Sequence, residues 1–173
     1  AILLATRGRT HSLGRSIKSM VELADSVDRI QFMFAFDRDD SVGQPYFFTE
    51  LQPWLDEHDV SYTVMQFERQ GYHRLNVYNN RMAEHTNSRW LMIWNDDAVM
   101  ETQGWDSVIE QYTGQFKLLK VHTHNDHPYS IFPIVPRAWY HTMQHLSRHQ
   151  MIDAELSQMA FVLDLMQVVD IDV

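Results

Sequence analysis

The chain has 173 residues, 45% apolar and 21% charged, with six glycines and five prolines; this excludes a disordered or collagen-like polypeptide and fits one globular domain. Fourteen Lys and Arg stand against 23 Asp and Glu, a formal charge of −9 and the wrong sign for a general nucleic-acid binder, so an anionic ligand must meet a local basic cluster or a bound cation. Cysteine is absent, which excludes thiolate catalysis, cysteine-ligated zinc and disulfides and fits a cytoplasmic setting, and no apolar run approaches the roughly 20 residues of a membrane span, so a soluble protein without a leader is expected.

The first apolar run, Ile2 to Ala5, has strand length, and it is followed by Leu13, Ile17, Met20, Val21 and Ala24 at helical spacing with Ser12 as the predicted N-cap. A second strand, Gln31 to Phe36, leads to a helix over 45–58 whose apolar face is Phe47, Phe48, Leu51 and Leu55. A third, Tyr62 to Phe67, leads through Gly71 to a helix over 77–85, and a fourth, Trp90 to Trp94, to one over 105–112. Strands at Phe116 to Val121 and Ile131 to Val135 follow, then two helical stretches after Pro136, then a strand-like run from Val168 to Val173 that suggests more chain beyond it. Alternating strands and helices predict an α/β fold, a mostly parallel sheet flanked by helices on both faces, with no internal domain boundary.

In open α/β sheets ligands bind beyond the carboxyl ends of the strands, so the residues that follow each run are the candidate site. They are polar: Thr6, Arg7, Gly8 and Arg9; Asp37, Arg38, Asp39 and Asp40; Asn95, Asp96 and Asp97; His122 and His124. In Trp90-Leu-Met-Ile-Trp-Asn-Asp-Asp97 an apolar strand ends abruptly in carboxylates. Adjacent carboxylates repel unless water or a cation balances them, and Mg²⁺ or Mn²⁺ carrying a diphosphate suits such a pair because both ions take oxygen ligands. The other reading is a solvated acidic turn that caps a helix.

The order of elements, the Asn95-Asp96-Asp97 run after a buried fourth strand and the acidic strand end at Asp37 together resemble the GT-A glycosyltransferases, nearest to the family 2 type. The resemblance implies one catalytic domain over residues 1–173, with a nucleotide-binding half over 1–100 and an acceptor-side half over 101–173. It implies transfer of a sugar from a nucleotide-diphosphate donor, a UDP-sugar, to a hydroxyl acceptor with inversion, aided by Mn²⁺ or Mg²⁺. The family's Asp-x-Asp motif matches here with Asn95 in place of the first Asp, so Asp97 would hold the cation and Asp96 the ribose or donor sugar. Thr6, Arg7 and Arg9 would meet the nucleobase, Asp37 or its neighbour Asp39 would accept a hydrogen bond from it, and Arg74 would be the donor-side arginine after the third strand. Met151-Ile-Asp-Ala-Glu-Leu156 resembles the helix start that carries the catalytic base, which makes Asp153 the candidate and Glu155 the reserve. Each also reads as an acidic first turn favoured by the helix dipole.

Trp139 and Tyr140 offer flat faces on which an acceptor sugar could pack, or they belong to the core. His122 and His124 follow the fifth strand and, within the glycosyltransferase reading, are candidate ligands to the cation or diphosphate. The same histidines open His122-Thr-His-Asn-Asp-His127, which is similar to the HxHxDH run of metallo-β-lactamase-fold zinc hydrolases, where imidazoles and a carboxylate hold two cations that activate water. That alternative needs further ligands from strands downstream, and only 46 residues follow His127. His141, His145 and His149 fall at i, i+4 and i+8, a stripe on one helical face. A nucleotide-sugar-binding domain without activity is the third reading, motivated by Asn95.

Overall fold

The computed structural model describes residues 1–125 and 127–173. Its seven strands are β1 (Ile2–Thr6), β2 (Gln31–Asp37), β3 (Ser61–Phe67), β4 (Trp90–Ile93), β5 (Leu118–His122), β6 (Ile134–Pro136) and β7 (Met166–Asp172). They form one sheet in the order β3-β2-β1-β4-β6-β5-β7. β1 pairs in parallel with β2 and β4, β2 with β3, and β5 with β7; β6 alone runs antiparallel, between β4 and β5. The central strands β1 and β4 are almost wholly apolar because both faces of the sheet are covered. In β2, Phe32, Phe34 and Phe36 enter one core while Met33 and Ala35 enter the other.

The phenylalanine face packs under α1 (His11–Glu22), α5 (Trp105–Glu110) and a long helical segment made of α2 (Gly43–Tyr46), a π-helical turn (Phe47–Leu51) and α3 (Gln52–Glu57). Phe47 from that turn lies 4.9 Å from the Phe34 ring and 5.3 Å from that of Phe36. The opposite face packs under α4 (Leu75–Glu84), α6 (Arg137–Met143) and α7 (Ile152–Val162), through Tyr78, Met82, Trp139, Ile152 and Leu156 among others. α1 and α4 therefore leave the sheet on opposite faces, and the crevice between the ends of β1 and β4 is the switch point where such sheets bind ligands.

The structure departs from the sequence-based expectations at some boundaries. Helix α1 begins directly after Thr10, not after Ser12. The run at Ile131 to Val135 pairs only from Ile134, since Pro133 has no N–H to give a ladder and serves instead through its carbonyl, which accepts from Ile93 N–H at 3.1 Å. Phe48, expected on the apolar face, is 44% exposed because the π-helical turn rotates it outward from Phe47 and Leu51. The histidine stripe does not form: α6 ends at Met143, Gln144 takes a left-handed φ of 61°, and His145 and His149 lie beyond the helix.

Candidate functional site

Three strand ends and the connection after β3 converge on one pocket of about 410 Å³, lined among others by Thr6, Arg7 and Arg9 after β1, Asp37 at the end of β2, Arg69, Gly71 and Tyr72 between β3 and α4, and Asn95, Asp96 and Asp97 after β4. Three arginines and three carboxylates thus line one cleft.

At its floor the Asp37 carboxylate is 5% exposed and held on both oxygens. Tyr78 Oη donates to Oδ1, and Arg7 Nη1 donates to Oδ2 at 3.1 Å. The same guanidinium forks onto Asp39, at 2.5 and 3.2 Å, the bidentate geometry that Arg favours with carboxylates. The Arg7 bond draws the Asp39 carboxyl below its usual range. The Tyr78 oxygen in turn accepts from Gln70 N–H at 2.8 Å, which ties the loop bearing Arg69 and Gly71 to the end of β2. Burial, followed by the bond to Asp37, pushes the Tyr78 hydroxyl above its ordinary pKa.

The loop after β1 is fastened by Asp40, whose buried carboxylate accepts from Gly8 N–H at 2.9 Å, Val42 N–H at 3.1 Å and Gly43 N–H at 2.9 Å. Gly8 has a φ of +66°, a conformation other residues adopt at a cost, and it turns Arg9 toward the end of β4. There the buried Trp94 indole donates to Ser16 Oγ at 2.8 Å, and Ser16 Oγ donates to the Asn95 carbonyl at 3.2 Å, so α1 sets the height at which the two aspartates emerge. Asp96 turns inward and accepts from Thr6 Oγ1 at 2.6 Å; Asp97 turns outward and is 57% exposed. Burial raises the Asp96 carboxyl above its usual range, outweighing the Thr6 bond and the Arg9 charge, with Asp97 adding to the rise. Two adjacent carboxylates at a pocket mouth, one costly to ionise and one open, fit a hard divalent cation.

Other expected residues lie elsewhere. Arg74 is outside the pocket, on an exposed 3₁₀ turn (Tyr72–Arg74), while Arg69, the earlier arginine of the same connection, lines it. His122, exposed at the end of β5 beside Asp172 of β7, and His124 do not line the pocket. Among the described residues no group of three or more His, Cys, Asp or Glu is gathered to hold a metal. The zinc-hydrolase alternative loses its support with them, because only β6 and β7 follow the histidine run, in the same single sheet. Asp126 of that run lies outside the described residues.

Trp139 and Tyr140 are at the far end of the sheet from the pocket. The antiparallel β6 carries the chain down to the start of β4, where Arg137 N–H donates to the Arg89 carbonyl at 2.7 Å. Trp139 is buried and stacks on Phe116 at 5.4 Å, so it is a core residue. Asp153, in the first turn of α7, makes no side-chain hydrogen bond or ion pair with a described residue and does not line the pocket. Glu155 is engaged: it accepts from Ser147 Oγ at 2.5 Å and Arg148 N–H at 3.1 Å and lies 3.3 Å from the His149 ring. Sequence reasoning missed Arg69, Tyr72 and Tyr78, and it placed Asp40 among the polar strand-end residues without its hold on Gly8. Arg69 does carry a signal, since it follows the end of β3 by only two residues and so stands nearer the carboxyl edge of the sheet than Arg74. Tyr78 carries none, because an aromatic on the buried face of a helix reads as core.

No protein-family model and no curated protein matches the chain. Solved structures do. TarS from S. aureus superposes with a TM-score of 0.73 over 98% of this chain and 34% of its own, at 9% identity, and its 1–349 fragment in complex with UDP with 0.69 over 99% and 59%, at 8%. The mannosyltransferase PcManGT from Pyrobaculum calidifontis, in complex with GDP-Man and Mn²⁺, gives 0.73 over 99% of this chain and 55% of its own, at 10%. A protein named as a glucose-1-phosphate thymidylyltransferase, from Bacillus anthracis, gives 0.65 over 96% and 84%, at 9%. The chain thus spans between a third and three fifths of the glycosyltransferase structures it matches. At these identities the likeness establishes the fold, that of GT-A-like nucleotide-sugar transferases, and the α/β architecture with it.

Proposed function

We propose that this chain is a divalent-cation-dependent glycosyltransferase that moves a sugar from a nucleotide-diphosphate donor, a UDP-sugar, onto a hydroxyl acceptor with inversion. The observation that carries this reading is the pocket at the β1/β4 switch point of a GT-A-like sheet, where Asp96 and Asp97 emerge opposite Arg7, Arg9 and Arg69. The nucleobase would rest near Asp37, whose carboxylate can accept a ring N–H while Arg7 and Arg69 donate to the carbonyls on either side. Asp97, joined by Asp96, would hold Mn²⁺ or Mg²⁺, which supplies positive charge to the leaving diphosphate. In the transfer, Asp153 takes the proton of the acceptor hydroxyl as its oxygen bonds to the anomeric carbon, and the bond from that carbon to the diphosphate oxygen breaks, releasing the nucleoside diphosphate. Glu155, already engaged by three neighbours, is not proposed as the base, and Trp139 and Tyr140 are not proposed as the acceptor platform.

Calorimetric titration of UDP and GDP, each with and without Mn²⁺, tests the site. Cation-dependent binding of UDP that Asp97→Ala abolishes is the expected result, and no binding of either nucleotide would refute the reading. Asp153→Asn should leave that binding intact and remove transfer. Binding by the unmodified chain without turnover over a panel of acceptors would leave the nucleotide-sugar-binding domain. The likeness to a thymidylyltransferase favours nucleotidyl transfer as a second reading, which release of pyrophosphate from a nucleoside triphosphate and a sugar phosphate would reveal.

A further inference from the structure

The two arginines that follow β1 are held in opposite ways. Arg7 is fixed by three contacts of 2.5 to 3.2 Å to Asp37 and Asp39. Arg9 makes no hydrogen bond to a described residue. Its Nε stands 3.8 Å from Asp96 Oδ1 and its Nη2 3.9 Å from Asp97 Oδ2, beyond hydrogen-bond range yet close enough to place one positive charge over both carboxylates. Its side chain is half exposed, and the residue before it is Gly8, with a φ of +66° and empty space where a Cβ would be. The Asp40 bond to Gly8 N–H fixes the loop immediately upstream, so Arg9 can swing from an anchored point without disturbing Arg7. The guanidinium occupies the mouth where two carboxylates would otherwise face each other uncompensated, and it lines the same pocket as Arg69.

We propose that Arg9 is the resident counter-charge of the Asp96–Asp97 pair, balancing both carboxylates without a divalent cation and turning from them onto the donor diphosphate when the cation is bound. This deepens the nucleotide-sugar reading and rests on it. One side chain thereby couples the two ligands: it opposes the cation alone, since like charges compete for the same carboxylates, and it favours cation and diphosphate together. Long, partly exposed ion pairs of this kind are weak enough to exchange.

The test uses Mn²⁺ alone as its first probe, with the free ion followed by electron paramagnetic resonance in the unmodified chain, Arg9→Gln and Arg9→Lys. The expected result is that Arg9→Gln binds Mn²⁺ about two- to fivefold more tightly than the unmodified chain, the worth of a partly exposed ion pair, whereas Arg9→Lys stays near the unmodified value. With Mn²⁺ saturating, UDP binding by calorimetry should weaken about tenfold in Arg9→Gln, the scale of one lost charged hydrogen bond. Unchanged or weaker Mn²⁺ binding in Arg9→Gln overturns the proposal, as does unchanged UDP binding. A chain that binds Mn²⁺ with the expected Arg9 dependence but no nucleotide would refute the nucleotide-sugar reading and the turn onto diphosphate, while the counter-charge role would stand.

Discussion

Asp96 is a carboxylate whose charged form costs the fold stability. Its side chain is partly buried, at 14% exposed, its pKa is raised, and its neighbour Asp97 carries the same charge. A raised folded-state value means that, between the ordinary carboxylate pKa and the raised one, the native chain holds more protons than the unfolded chain, so stability falls as pH rises through that window. Asp96→Asn should therefore raise the melting temperature at neutral pH and flatten that slope, while nucleotide binding with Mn²⁺ weakens. Thermal melts from pH 4 to 8 check both halves, and a melting temperature that drops at pH 7 would contradict them. Tyr78 is the other informative side chain. Tyr78→Phe removes the donor to Asp37 and the acceptor for Gln70 N–H, for a cost of about 1 to 3 kcal/mol of stability measured by urea unfolding. Because the Asp37 carboxylate and the Arg69 loop both lose their brace, UDP affinity should fall further than stability alone explains.

At the scale of elements, the loop after β1 is positioned by a clasp between two connections. Asp40, in the turn between β2 and α2, holds Gly8 of the first connection and the first amides of its own helix. Gly43 belongs to this clasp: a Cβ there would stand 2.4 Å from Asp40 Oδ2 and 3.2 Å from Gly8 N, and the backbone atom cannot step aside. Gly43→Ala should push the two connections apart, with an expected cost of about 1 to 3 kcal/mol and a marked loss of nucleotide affinity through the displaced Arg7 and Arg9. Nucleotide affinity that survives in a destabilised Gly43→Ala protein would show that the clasp serves the fold alone. The antiparallel β6 is the element that sorts the second half of the chain. It reverses direction between β4 and β5, delivers α6 to the amino end of the sheet and leaves the start of α7 to return toward the other end.

Across the whole molecule, two cores sandwich one sheet, and the aromatic one lies directly behind the site. Phe32, Phe34 and Phe36 stack in series beneath the end of β2 that carries Asp37, with the Phe47 ring tilted against the last two. Phe34→Ala, fully buried at the centre of that series, should cost about 3 to 5 kcal/mol. In a domain of this size that lowers the melting temperature by on the order of 10 °C. UDP affinity of the protein that remains folded should be nearly unchanged, because the Phe34 side chain enters the core on the face opposite Ala35, and it is Ala35 that lines the pocket.

Much of the architecture is legible in the order of residues because local chemistry decides it. Strands covered on both faces must be continuously apolar, amphipathic helices must repeat every three to four residues, and a parallel sheet must present its polar strand ends on one side. Those rules place β1 through β5, the helices between them and the convergence of Thr6, Arg7, Arg9, Asp37, Asn95, Asp96 and Asp97 on one pocket. What depends on packing between distant segments is not legible in this way. The direction of β6, and with it the burial of Trp139 at the far end of the sheet, follows from pairing with residues more than 40 positions away. The choice of Arg69 over Arg74 is made by the path of a connection pinned by Tyr78, and the raised Asp96 carboxyl is set by burial that only the assembled crevice creates. Residue types and strand order specified which side chains could gather at the strand ends; three-dimensional packing decided which copies of each residue type line the pocket, because burial and distance are properties of the assembled sheet and not of neighbours along the chain.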